Sequence, residues 1–166
     1  MLNADQIVEK GLLKLEQSKG KKAQVGYDLS LQLVNKIGHV GKVLKDKTQL
    51  AAYEPIDKIQ LDGHSGWLLY PGAYDITFWE GCDIPSNYVG LIRQRSSMLR
   101  NGTVLHSSVF DPGFSTEFMG TVMVVNETIF IEEDARVGQI YFHTCEEVAE
   151  ENLYAGQFQN DKQRNG

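Results

Sequence analysis

No stretch of this 166-residue chain holds the roughly 18 consecutive apolar residues that a membrane-crossing helix requires. The opening MLNADQIVEKG lacks the apolar core of a secretory signal, so a cytoplasmic location is the expectation. Cysteine is scarce. Cys82 and Cys145 stand far apart with no C-x-x-C, so a structural zinc site is not expected, nor, in a reducing compartment, is a disulfide. The four histidines, His39, His64, His106 and His143, show no metal-ligand spacing. Positive charge is also short: 16 Lys and Arg against 22 Asp and Glu leave a net charge of −6. Nucleic-acid surfaces are usually basic, so nucleic acid is not an expected partner, nor is a membrane. A local arginine cluster on such a chain can still hold a small polyanion, and its carboxylates can recruit a divalent cation. There is no GxxxxGK[ST], no HxE…PCxxC, no GxSxG and no HExxH. Those absences exclude a P-loop, a cytidine-type zinc deaminase, a serine-hydrolase elbow and a zincin.

What is present is an ordinary globular balance, 42% apolar and 23% charged, of a size that suits one domain. Asn3, Gln6 three residues later and Gly11 predict one short helix over residues 3–10. QSKGKKAQ, residues 17–24, reads as a polar connector. YDLSLQLV, from Tyr27, alternates apolar and polar residues, which predicts a half-buried strand with Asp28 on its polar face. Residues 35–65 are polar and rich in turns, and are expected to hold short strands or a long excursion. From Trp67 onward, WLLYPG, YDITFWEG, YVGLIRQR, GTVLHSSVF, GTVMVVN, TIFI and VGQIYFHT follow one another, punctuated by Gly and Pro. Short strands so close together predict a mainly β chain, an antiparallel jelly roll or distorted barrel with a short N-terminal helix. Residues 1–150 are expected to form the domain. Residues 151–166 read as a polar tail, either mobile or ordered by closing on a ligand.

Five segments could carry chemistry, and each also has a plain structural reading. In RQRSSMLRNG, Arg95, Ser96, Ser97 and Arg100 could bind a phosphate at the start of a helical turn; the same residues suit a serine N-cap with two solvated arginines. In VFDPGF, Asp111 at a strand end could hold a water as general base, with Phe114 offering a flat face to a sugar or base; D-P-G is also a strong turn signal. Asp28 in GYDL could be an exposed strand carboxylate and nothing more. Gln139 in RVGQI stands in an otherwise apolar strand, where its amide needs partners. YAGQFQ, residues 154–159, could be a flap that closes on a ligand, or plain tail.

Taken in order, VGYDL, RSSMLRNG, VFDPGF, RVGQI and YAGQFQ resemble the dUTPase and dCTP deaminase superfamily over nearly the whole chain. MLNADQIVEKGLL, YPGAY, DIPSNYVGLI and YAGQFQ look like the deaminase branch, whereas VGYDL looks more like the trimeric dUTPases. The resemblance implies a β jelly roll, a homotrimer with sites at subunit interfaces, and a pyrimidine deoxynucleoside triphosphate as substrate. It implies triphosphate contacts for Arg95, Ser96, Ser97, Arg100 and Gln139, with Arg95 and Ser96 in the catalytic set beside Asp111. Asp111 would hold the attacking water, Phe114 would pack on the deoxyribose, and the loop from His106 through Phe110 would read the base. Tyr154, Gln157 and Gln159 would belong to the closing tail, and Asp28 would reach the Mg²⁺ water shell.

Three departures bear on which activity is implied. Deaminases of this branch carry a proton-shuttling glutamate in the strand after the aspartate; GTVMVVN has Met123 or Val124 there, and neither transfers a proton. Glu117, in the insertion FSTEFMG, is the nearest carboxylate that could substitute, and the His106–Asp111 loop is shorter than in deaminases. Gln157 stands where the family tail usually has lysine. The resemblance therefore implies first a Mg²⁺-dependent dUTP diphosphatase giving dUMP and pyrophosphate. It implies second a dCTP deaminase, alone or coupled to diphosphatase activity, and third a catalytically silent nucleotide-binding regulator.

Overall fold

The structure, a computed structural model, describes residues 1–38 and 40–159. His39 and the last seven residues of the tail lie outside the described residues. Helix α1, Ala4–Glu9, forms where Asn3 and Gln6 predict it: the Asn3 side chain accepts from the Gln6 N–H while the Gln6 side chain accepts from the Asn3 N–H. Gly11, at φ +64°, carries the chain out of the helix in a conformation costly for residues with a Cβ. No helix among the described residues is long and apolar enough to cross a membrane.

Six strands build the body: β1 (Tyr27–Gly38), β2 (Gly72–Phe78), β3 (Tyr88–Gln94), β4 (Thr103–His106), β5 (Gly120–Val125) and β6 (Arg136–Thr144). They pair antiparallel in the order β3-β6-β1-β2-β5-β4. The ends of this path come back together, because Gly90 on β3 and Phe110 just past β4 exchange both backbone hydrogen bonds, at 3.0 and 2.9 Å. The sheet is thus nearly closed, the barrel-like architecture that short, crowded strands predict. Inside it lie Leu29, Leu31, Val34, Ile76, Phe78, Met123, Ile140 and Phe142, all fully buried. Each such side chain removed from water contributes about 1.5–3 kcal/mol, offset by the entropy of ordering the chain.

β1 departs from the expected half-buried pattern. Tyr27, Asp28, Leu29, Ser30 and Leu31 are all buried, polar face included. The cover is the connector before β1, and Glu80 holds part of it. This fully buried carboxylate accepts from Ser18 Oγ at 2.5 Å, Gly20 N at 3.0 Å, Ser30 N at 2.9 Å and Ser30 Oγ at 2.8 Å. Gly20 is required for close approach, since a Cβ there would overlap the Asp28 carbonyl oxygen and crowd Glu80. The connector then pairs with β1 as a two-residue strand, Lys21 opposite Asp28 and Lys22 opposite Tyr27. The described residues between 35 and 65 hold short strands: Lys42–Val43 pairs with Thr48–Gln49, Ala52–Pro55 pairs with the end of β1, and Ile59–Leu61 pairs with His64–Leu69.

Candidate functional site

Two clefts gather most of the residues singled out in the sequence. The first is polar, with a volume of about 630 Å³, and is lined among others by Lys21, Asp28, Arg95, Ser96, Arg136 and Gln139. Its centre is an ion-pair fork. Asp28 Oδ2 lies 3.2 Å from Arg95 Nε and 3.2 Å from Arg136 Nη1, while Arg95 Nη1 donates to the Arg136 carbonyl at 3.2 Å. Asp28 is therefore a buried organiser of two guanidiniums, where the sequence pattern predicted an exposed carboxylate. Gln139 is the cross-strand partner of Asp28, and its side-chain amide donates to the Val25 carbonyl. That contact depends on Gly26, whose φ of +81° and close approach to the Ile140 carbonyl leave no room for a Cβ. Gln94 adds a buried Oε1 with no hydrogen-bond partner among the described residues.

Ser96 and Ser97 occupy the first turn of helix α2, Ser96–Arg100, and Arg95 is its N-cap, without a side-chain capping bond. The expected serine N-cap does not form, because the chain leaves β3 one residue earlier and Arg95 takes the extended cap conformation. Both hydroxyls stay exposed. Arg100, in the last turn of α2, is exposed and lines neither cleft, and the same holds for Ser97.

The second cleft, about 370 Å³, is lined by aromatic side chains: Phe110, Phe114, Phe118, Tyr154 and Phe158. Phe114 lies at the centre, 5.5 Å from the Phe110 ring and 5.3 Å edge-on from the Tyr154 ring. Asp111 is the one carboxylate among the described residues that line it; it is exposed and has no side-chain partner among them. The turn that presents it is closed by Phe114 N donating to the Asp111 carbonyl at 3.0 Å. Gly113, at φ +87°, supplies the left-handed conformation the D-P-G signal predicts.

The described part of the tail lies against this turn. Tyr154 N donates to the Pro112 carbonyl at 2.9 Å, and Gln159 both donates to the Gly113 carbonyl at 2.9 Å and accepts from Ser115 N at 3.1 Å. Gln157 is exposed, and His106, exposed at the end of β4, lines neither cleft.

Glu117 is turned away. Thr116 and Phe118 line the aromatic cleft, while Glu117 faces a separate hollow and pairs with Lys14 at 2.7 Å. Met123 is fully buried between β4 and β2.

The two clefts share no lining residue. Phe110 pairs with Gly90, whereas Arg95 lies five residues further along, a separation of about 16 Å at the strand rise of about 3.3 Å per residue. The sequence reading passed over Lys21, Lys22 and Arg136. Arg136 could have been noticed as the cation opening RVGQI. Lys21 and Lys22 are indistinguishable from a solvated connector until the pairing with β1 is known.

Residues 3–145 match the family model described as dCTP deaminase-like. A probable deoxyuridine 5'-triphosphate nucleotidohydrolase of Methanosarcina barkeri is 32% identical over 138 residues, covering 82% of this chain and 79% of that protein. A deoxyuridine 5'-triphosphate nucleotidohydrolase of Methanocaldococcus jannaschii is 34% identical over 137 residues, covering 80% and 86%. Among solved structures, the 2'-deoxycytidine 5'-triphosphate deaminase from Agrobacterium tumefaciens superposes over 88% of this chain with a TM-score of 0.64 at 18% identity; this chain spans 48% of that one. The native EIAV dUTPase superposes over 88% of this chain and 99% of its own with a TM-score of 0.53 at 12% identity. These two likenesses agree with the nearly closed β architecture. The family match runs through the fork at Asp28, the turn at Asp111 and strand β6, and by it this chain belongs to the dCTP deaminase-like family.

Proposed function

We propose that this protein is a dUTP diphosphatase, hydrolysing dUTP to dUMP and pyrophosphate. The observation that carries the reading is Asp111: an exposed carboxylate with no partner among the described residues, on the rim of an aromatic cleft sized for a nucleoside. Phe114 and Phe110 give the deoxyribose and base flat apolar surfaces. Asp111 accepts a proton from a water as its oxygen attacks the α-phosphorus; the bond from that phosphorus to the bridging oxygen breaks, and pyrophosphate leaves. A positioned general base of this kind contributes roughly 10²- to 10⁴-fold. The guanidiniums of Arg95 and Arg136, held in place before substrate arrives, meet the charge on the phosphate oxygens.

Mg²⁺ keeps most of its water and prefers phosphate oxygens with one or two carboxylates, and Asp28 is the one carboxylate among the described residues lining the polar cleft. Asp28 Oδ2 is committed to two arginines, and its other oxygen has no partner among the described residues. Mg²⁺ arriving with the triphosphate would be held by Asp28 through water, and it supplies charge neutralisation on the phosphates.

Within one chain Arg95 lies about 16 Å along β3 from Gly90, the strand partner of Phe110 beside Asp111, which is further than the distal phosphates extend from an α-phosphorus facing Asp111. The reading therefore includes a homotrimer in which the aromatic cleft and Asp111 of one copy face the cationic cleft of the next. Ser96, Ser97 and Arg100 are assigned to the phosphates, His106 and Phe110 to the base side. Tyr154, Gln157 and Gln159 are assigned to a tail closing the site in a cytoplasmic enzyme.

Deamination of dCTP needs an acid at the base. Met123 cannot serve, and Glu117 faces another hollow and pairs with Lys14. The test is to incubate the protein with Mg²⁺ and dUTP, dCTP or dTTP and resolve the products by anion exchange. Release of dUMP with dCTP untouched is the expected result; conversion of dCTP to a uracil nucleotide would overturn the reading. Mixing two inactive variants, Asp111→Asn and Arg95→Ala, restores part of the activity if the site is shared between copies, and restores none if it is not.

A further inference from the structure

We infer that Lys21 is a phosphate-binding residue, reaching the distal phosphates of the triphosphate from the connector that precedes β1. The inference rests on the diphosphatase reading for the identity of the ligand, and on the geometry of the cationic cleft for the residue. Lys21 is the cross-strand partner of Asp28, and Gln139 is the partner of Asp28 on its other side. Directly opposed residues of an antiparallel ladder point to the same face, so Lys21, Asp28 and Gln139 form one row across three strands. All three line the cationic cleft together with Arg95 and Arg136.

The cations of this cleft differ in how far they are already neutralised. Arg95 and Arg136 share Asp28. Lys22, the next residue along, bonds Asp5 at 2.7 Å, and the Asp5 carboxylate raises its pKa. Lys21 has no partner among the described residues. Its ammonium is the uncommitted charge, at the solvent side of a fork whose guanidiniums are already oriented.

The backbone beneath it is fixed. Gly20 donates to Glu80 at 3.0 Å and to Ser18 Oγ at 3.0 Å, and a Cβ at this position would overlap the Asp28 carbonyl oxygen. Ala23 N closes the other end onto the Gly26 carbonyl at 3.3 Å. The constrained strand fixes where the flexible lysine stem begins and keeps its ammonium within reach of the cleft, and an ammonium binds phosphate as a point charge.

The test uses Lys21→Gln, with Lys21→Arg as the rescue and Lys42→Gln as the control; Lys42 is exposed on a separate hairpin and its loss changes net charge equally. Binding of tripolyphosphate is measured by calorimetry beside dUMP binding and dUTP kinetics. Lys21→Gln is expected to weaken tripolyphosphate about tenfold and raise the KM for dUTP similarly, with kcat and dUMP affinity within about twofold. The defect shrinks at high salt, and Lys21→Arg restores binding. Unchanged tripolyphosphate affinity in Lys21→Gln, an equal loss in Lys42→Gln, or no tripolyphosphate binding by the wild type would each overturn the inference. Lys21-dependent tripolyphosphate binding without dUTP hydrolysis would uphold Lys21 and sink the diphosphatase; hydrolysis of dUTP with Lys21→Gln unaffected would do the reverse.

Discussion

Asp28 Oδ2 and Arg95 Nε lie 3.2 Å apart, and Arg136 closes on the same oxygen at the same distance. One carboxylate on β1 thus sets the guanidiniums of two other segments, the cap of α2 and the start of β6. Asp28→Ala removes the shared counter-charge and leaves two cations facing each other. Both arginines are about a third exposed, so solvent screens much of the repulsion. A stability loss of about 1–2 kcal/mol is expected in low salt, where a fully buried pair would cost about 3–5 kcal/mol. Urea unfolding at two salt concentrations checks it, and the loss narrows as ionic strength rises.

Glu80→Gln tests the connector. The native carboxylate accepts from two backbone N–H groups and two hydroxyls while fully buried. An amide offers a single acceptor oxygen and turns an NH₂ toward groups that donate. The expected cost is about 2–4 kcal/mol in unfolding free energy, with a raised KM for dUTP because the strand carrying Lys21 loses its anchor. Thermal melts and steady-state kinetics on one preparation separate the two effects.

The cysteines differ in chemistry. Cys82 is fully buried, and burial is the main reason its thiol is pushed up to about 12, with Asp83 adding to the shift and Lys14 opposing it. Cys145 is partly exposed. The thiolate is the reacting form, so a thiol-specific disulfide reagent at pH 8 is expected to modify Cys145 in the native protein and Cys82 only after denaturation. Two thiols reacting at equal rates under native conditions would show that the strand Gly81–Asp83 opens readily.

Much of the fold was legible because the local signals agreed with each other. The capping box at Asn3 and Gln6, the D-P-G turn and the strand runs from Trp67 onward each formed where the residues predicted. β1 was found, but the burial of its polar face was not, because that face is covered by Glu80 and the connector, partners distant in sequence or without a pattern of their own. The site was half legible for the same reason. Asp111, Phe114 and Tyr154 are close in space through one turn and one tail segment. The cationic cleft is a pairing register, Lys21 to Asp28 to Gln139, and registers are fixed by long-range contacts that no single segment displays.

Asp111→Asn isolates the chemistry from the scaffold. The side chain is exposed and holds no structural bond among the described residues, so the melting temperature should stay within a degree or two. Turnover of dUTP is expected to fall by about 10²- to 10⁴-fold with little change in KM. An equal fall in stability would move Asp111 from the reaction to the fold.

The most direct test of the central claim is hydrolysis of dUTP by the wild-type protein with Mg²⁺ in ¹⁸O-labelled water, with the products separated and weighed by mass spectrometry. Attack at the α-phosphorus by a water held at Asp111 predicts dUMP carrying one ¹⁸O and unlabelled pyrophosphate. Label in the pyrophosphate, or release of dUDP and inorganic phosphate, would place the attack at another phosphorus and contradict the account.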